Sequence, residues 1–149
     1  MNLLTPVSAL MSIDLKTVSP GDSLLMVRDI FQKHNIHHIP VVRFKEIVGM
    51  ISKTDYLYFR QGCVGETESK EADQLQKWKV EEIMTNKLAK VDVDEPLRTV
   101  VDLFKLNRFH ALPIIENGEL VGIITPHDII TALADEKIEL ADYQSVKTK

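Results

Sequence analysis

Among 149 residues there is one cysteine, Cys63. That excludes an internal disulfide framework and a thiolate zinc cluster within the chain. No base is patterned around Cys63, so an inert loop side chain is the plain reading. No apolar run approaches the ~20 residues a membrane-spanning helix requires. The opening Met1-Asn2-Leu3-Leu4-Thr5-Pro6 lacks the basic stretch of a secretory signal, and Asp14 and Lys16 soon interrupt its mild apolarity. A cytoplasmic location with no membrane attachment is expected. An excess of one charge is missing too: 18 Lys+Arg against 22 Asp+Glu leave a net charge of −4. Nothing in that balance favours nucleic acid or an anionic surface as partner. Gly-x-x-x-x-Gly-Lys, His-Glu-x-x-His and Gly-x-Ser-x-Gly are all absent. His34, His37 and His38 are close in sequence, but no matching Cys/Asp/Glu set accompanies them, so no metal is expected.

What is present is an internal repeat. The composition, 44% hydrophobic and 27% charged, is sufficient for a core. Laid on itself at an offset of 73, the chain matches without a gap, residues 7–57 onto 80–130. Leu24, Val27, Asp29 and Phe31 fall on Leu97, Val100, Asp102 and Phe104; His37 and Pro40 fall on His110 and Pro113. Glu46, Val48, Gly49, Ile51 and Asp55 fall on Glu119, Val121, Gly122, Ile124 and Asp128. Glycine, proline and aspartate do not stay in register over such a length by chance.

Each copy reads as β-α-β-β-α. A short extended stretch comes first, Thr17-Val18 or Lys90-Val91. In copy two Pro96 sits in the first turn of the following helix, where a missing N–H costs nothing; in copy one Asp22 is the expected N-cap. Leu24, Val27 and Phe31, like Leu97, Val100 and Phe104, recur at three- and four-residue steps and mark one buried helix face. Two apolar strand-length runs follow, Ile39-Pro40-Val41-Val42 with Ile47-Val48-Gly49-Met50-Ile51, and Leu112-Pro113-Ile114-Ile115 with Leu120-Val121-Gly122-Ile123-Ile124. Runs so apolar suggest strands covered on both faces. The prolines argue for an edge position or a strand start. Asn117-Gly118 signals a type I′ hairpin; Phe44-Lys45 gives no such signal in copy one. A last helix begins at Ser52 or Thr125. A unit of about fifty residues is marginal alone, so two packing their sheets together are expected. The fold class is then α/β (α+β): two tandem repeats related by a pseudo-twofold, at 1–60 and 80–136, with a linker at 61–79 and a polar tail at 137–149. The linker can be partly helical near Leu75, with Trp78 packing it down.

These residues resemble a known family. Leu10-Met11-Ser12 and Ile83-Met84-Thr85, the proline strands, and the motifs Gly49-Met50-Ile51-Ser52-Lys53-Thr54-Asp55 and Gly122-Ile123-Ile124-Thr125-Pro126-His127-Asp128 make each copy similar to a CBS (cystathionine-β-synthase-type) domain. The tandem looks like a stand-alone CBS pair, or Bateman module. The resemblance implies a regulatory sensor, not an enzyme. It would bind AMP, ADP, ATP or S-adenosylmethionine in clefts between the repeats, as a disc-like homodimer acting on an unidentified regulated protein, with no required cofactor.

On that resemblance Asp55 and Asp128 take ribose hydroxyls, with Ser52 and Thr125 beside ribose or phosphate. His37 and His110 reach phosphate, and Lys53 and His127 neutralise further phosphates. Helix starts suit this, since their free N–H groups and positive end can face an anion. Thr17, Val18, Ile39 and Pro40 wall one adenine pocket, opposite Asp128; Lys90, Val91, Leu112 and Pro113 wall the other, opposite Asp55. Plainer readings stand beside these. Ser-x-x-Asp and Thr-x-x-Asp are near-capping-box sequences, the histidines can pack at strand entries, and the apolar wall residues can be ordinary core. His38 faces Ala111 in the repeat, so the two clefts are unlike. A ligand-free dimerisation or scaffold module with degenerate clefts is the alternative function.

Overall fold

The computed structural model describes residues 1–62 and 67–137. Cys63 and residues 138–149 lie outside that range. Repeat one begins with a short 3-10 turn, Val7–Ala9, and then α1 (Leu24–Lys33), β1 (His38–Arg43), β2 (Glu46–Ser52) and α2 (Lys53–Gln61). After α3 (Glu68–Lys77), repeat two runs through α4 (Val80–Ile83), β3 (Val91–Asp92), α5 (Leu97–Lys105), β4 (Leu112–Glu116), β5 (Glu119–Ile124) and α6 (Pro126–Ala134). β1 and β2 form an antiparallel pair; β3, β4 and β5 form a mixed sheet in that order. The class is mixed α/β, as expected.

The helical spacing is realised directly. Leu24, Val27 and Phe31 of α1 are buried, as are Leu97 and Val100 of α5. Ile39, Pro40 and Val41 are buried in succession, and so are Leu112, Pro113 and Ile114, so both strands are covered on both faces. Several local expectations change. The cap of α1 is Ser23, whose Oγ accepts from Met26 N at 3.4 Å. Asp22 is one residue too early, and its carboxylate instead accepts from Ser19 N at 2.7 Å, closing a turn. Pro96 is the N-cap residue of α5 rather than part of its first turn. The first strand of copy one shrinks to a single parallel bridge, Val18 to Val41.

Pro40 lies in β1, one of only two strands in its sheet, so the edge expectation holds there and fails for Pro113 alone. β4 is the central strand, and it carries Pro113. The partner strand is short enough to make this harmless. Val18 N donates to Pro40 O at 3.1 Å and Val42 N donates to Val18 O at 2.8 Å. The side on which Pro40 lacks its N–H is therefore the side where the first strand has already ended. β3, pairing with Ile114 and Ile115 alone, leaves Pro113 in the same position.

Both hairpins close with the same two-residue turn. Phe44 and Lys45 have φ of 49° and 67°; Asn117 and Gly118 have 50° and 80°. Between the repeats, α3 is capped by Thr67, and its Leu75 is fully buried in the repeat-one core. Trp78 packs edge-on to Phe59, with ring centroids 5.1 Å apart.

The repeats are joined by a reciprocal exchange. Ser12 and Ile123 exchange two backbone hydrogen bonds, at 2.8 and 3.0 Å; Thr85 and Met50 exchange two, both at 2.9 Å. The segment leading into each repeat thus adds to the last strand of the other. Val7 is buried in the core of repeat two, and Val80 in that of repeat one. The twin glycines make room for this. A Cβ on Gly49 would lie 2.9 Å from Met84 Cγ, and one on Gly122 would lie 2.9 Å from Met11 Cγ.

Candidate functional site

The exchange leaves two clefts where the repeats meet. The larger, about 660 Å³, is bounded by Ser52, Thr54 and Asp55 of repeat one and by Thr85, Lys87, Ala89, Arg108, His110 and Pro113 of repeat two. The smaller, about 530 Å³, is bounded by Thr125, His127 and Asp128 of repeat two and by Ser12, Asp14, Lys16, Asn35, His37 and Pro40 of repeat one. Every residue lining the smaller cleft has its counterpart, 73 positions away, in the larger. His37 and His38 face both clefts. A further groove of about 700 Å³ shares Asp55 and Thr85 with the larger cleft and runs along Tyr58, Phe59, Gln61, Gly62 and Ile83.

The two aspartates stand in equivalent first turns but in different states. Ser52 Oγ accepts from Asp55 N at 3.0 Å, which caps α2. Among the described residues the Asp55 carboxylate accepts no hydrogen bond, and it lies exposed in its cleft. Asp128 Oδ2 accepts from Thr125 N at 2.7 Å and from Thr125 Oγ1 at 2.9 Å. The capping reading thus describes Asp128 and only half of the Ser52–Asp55 pair. The next residue differs as well. Lys53 N donates to His37 O at 2.7 Å, tying the start of α2 to the entry of β1; at the twin position Pro126 has no N–H to give.

His38 sits half-buried between the clefts. Burial holds its pKa below 6.5, the nearby His110 and His37 lower it further, and Asp55 opposes them. A neutral imidazole there still donates one hydrogen bond.

Of the residues expected from sequence, Pro40, His37, Thr125, His127 and Asp128 come together in one cleft. Pro113, His110, Ser52 and Asp55 come together in the other. The remainder do not line either. Val18, Ile39, Val91 and Leu112 are core side chains, because their strands are covered on both faces. Thr17 and Lys90 are exposed beside them, and Lys53 reaches the site only through its backbone. Sequence reasoning missed Asp14, Lys16, Asn35, Lys87 and Arg108. The repeat register would have found them, since Asp14 and Lys87 lie two residues beyond Ser12 and Thr85, the residues exchanged between repeats. Among the described residues no group of three His, Cys, Asp or Glu is arranged to hold a metal ion, and no helix is long and apolar enough to cross a membrane.

Comparison with known proteins agrees with this geometry. The CBS domain model matches residues 7–62 and again 80–135, and the chain belongs to the CBS-domain family as a tandem pair. Inosine-5'-monophosphate dehydrogenase of Thermoplasma acidophilum is 31% identical over 119 residues, covering 79% of this chain but only 21% of that enzyme. The match is therefore to a minor part of a larger protein. An uncharacterized conserved protein from Pyrococcus horikoshii superimposes with a TM-score of 0.73 at 25% identity, over 93% of this chain and 98% of its own. The CBS domain pair of protein MJ0100, solved in complex with 5'-methylthioadenosine and S-adenosyl-L-methionine, superimposes with a TM-score of 0.71 at 26% identity, over 90% and 99%.

Proposed function

We propose that this CBS pair is a regulatory module that binds an adenosine-containing ligand between its repeats and passes the binding on as a change in how repeats or protomers sit together. The observation that carries the reading is Asp55: a carboxylate in the first turn of α2, open to the cleft and accepting no hydrogen bond of its own among the described residues. A vicinal diol such as ribose offers the two donors such a carboxylate can accept. The similar MJ0100 pair holds adenosine compounds, which supports the class of ligand. Ligand would act by population shift, favouring whichever arrangement it contacts better.

The test is a thermal melt of the full chain with AMP, ADP, ATP and S-adenosylmethionine. A ligand at a hundred times its Kd adds ~2.7 kcal/mol, a rise of several degrees at this size. Asp55→Ala should abolish the rise with AMP, ADP and ATP. No shift with any of the four at millimolar concentration would sink the reading.

One observation favours association with a second copy. α6 is strongly apolar, yet none of its residues is buried. Ile130 and Leu133 are exposed, as are Leu57 and Tyr58 on the twin helix α2. Apolar patches of this kind mark interaction surfaces, and twin helices bearing them suit a symmetric homodimer. Light scattering should give twice the chain mass, and Leu57→Glu with Ile130→Glu should halve it.

A further inference from the structure

The clefts match position for position, but their charges do not. Where the smaller has Asp14 and Asn35, the larger has Lys87 and Arg108. In the larger cleft two fixed cations face one carboxylate, Asp55. In the smaller, one cation, Lys16, faces two carboxylates, Asp14 and Asp128. Lys16 is moreover bridged to Asp14 at 3.3 Å, and Asp128 is held by Thr125. Lys87 and Arg108 make no ion pair among the described residues, so both are available to a ligand. Each cleft also has three imidazoles, His37, His38 and His110 in the larger and His37, His38 and His127 in the smaller, so the fixed charges and not the histidines set the two apart.

We propose that the Asp55 cleft is the site for a ligand carrying a phosphate chain, and that the Asp128 cleft turns such a chain away. This rests on the adenosine reading above and deepens it. Asp55 would hold the hydroxylated end of the ligand, and Lys87, Arg108 and the histidines its anionic end. Guanidinium and ammonium donors to phosphate make the stronger, charge-assisted hydrogen bonds. In the Asp128 cleft the same anion would meet Asp14 in place of Lys87. That cleft suits an uncharged or cationic adenosine compound.

Titration calorimetry on the full chain tests this, with ATP, adenosine and inorganic tripolyphosphate as probes at one fixed salt concentration. The variants are Lys87→Gln with Arg108→Gln, and separately Lys16→Gln; all three side chains are at the surface of the clefts, and an unchanged melting temperature checks folding. In the double variant, ATP and tripolyphosphate should each weaken about tenfold or more, one lost charged contact being enough for that, while adenosine holds within about twofold. Lys16→Gln should leave ATP unchanged. Equal ATP affinity in wild type and double variant overturns the assignment, as does a loss that appears in Lys16→Gln instead. Adenosine binding without ATP or tripolyphosphate binding also overturns it, while leaving the adenosine reading intact. Tripolyphosphate binding that depends on Lys87 and Arg108, with no gain from the nucleoside, keeps the anion cleft and removes the adenosine reading.

Discussion

Tyr56 carries a hydroxyl into the repeat-one core, where its oxygen is buried with no hydrogen-bond partner among the described residues. Its ring packs against Phe31 with centroids 5.7 Å apart, and burial pushes its pKa up. A buried, unpaired hydroxyl costs about 1–3 kcal/mol, so Tyr56→Phe should raise stability by about 1 kcal/mol, read as a higher urea midpoint at constant slope; a lower midpoint would show that the oxygen is paired in solution. His38 makes the opposite kind of statement, one about pH. It shares the larger cleft with His37, Lys87, Arg108, His110 and Asp55, and the smaller with Asp14, Lys16, His127 and Asp128. Its folded pKa lies below the unfolded 6.5, so the unfolded chain binds more protons as pH falls below that value. The stability owed to neutral His38 is therefore full above pH 6.5 and drains away as pH drops toward the folded pKa. Melting temperature in the absence of ligand should fall on acidification, and less steeply in His38→Ala, the residue its twin position carries. Equal slopes would rule His38 out. At this scale the sequence revealed Asp55 and Asp128 as twins, but not that one caps its helix while the other stays open. That difference lies in one side-chain torsion, which residue spacing does not report.

At the scale of elements, the hairpin turn of copy one shows how packing overrides local preference. A two-residue I′ turn needs positive φ at both positions, which Asn-Gly supplies and Phe44-Lys45 does not. The turn forms anyway because β1 and β2 are fixed in register on either side of it. Phe44 is 97% exposed, so no packing of its own repays the strain. Replacing Phe44-Lys45 by Asn-Gly should stabilise the protein by about 1 kcal/mol, given the ~1–2 kcal/mol per residue that left-handed backbone costs an ordinary L side chain. On a domain of this size the gain reads as a few degrees in Tm. A fall would mean that the Phe44 side chain makes a contact in solution. The helices α1 and α5 were plain in the sequence because several apolar residues repeat at helical steps. α3 was less so, because Leu75 alone among its residues is fully buried and one residue makes no period. Pro113 misled in the other direction: it can stand in the central strand because its neighbour β3 is only two residues long.

For the molecule as a whole, the 73-residue offset was enough to foresee two β/α units packed on one another. It did not show that each unit is completed by the other. The lead-in residues 7–12 and 80–85 read as simple beginnings, since sequence places them before their own repeats and only the fold places them across the boundary. The exchange makes a direct prediction. Fragments 1–62 and 67–137, separated, should each lack a cooperative melt at micromolar concentration, and mixing them should restore one by circular dichroism. Independent melting of either fragment would show that Val7 and Val80 are dispensable to the cores they enter. Two separate copies of such a unit could in principle make the same mutual contacts, but they would part on dilution. Joined through α3, each unit meets the other at an effective concentration in the millimolar range for a short tether. The pairing that shapes both clefts therefore does not depend on how much of the protein is present.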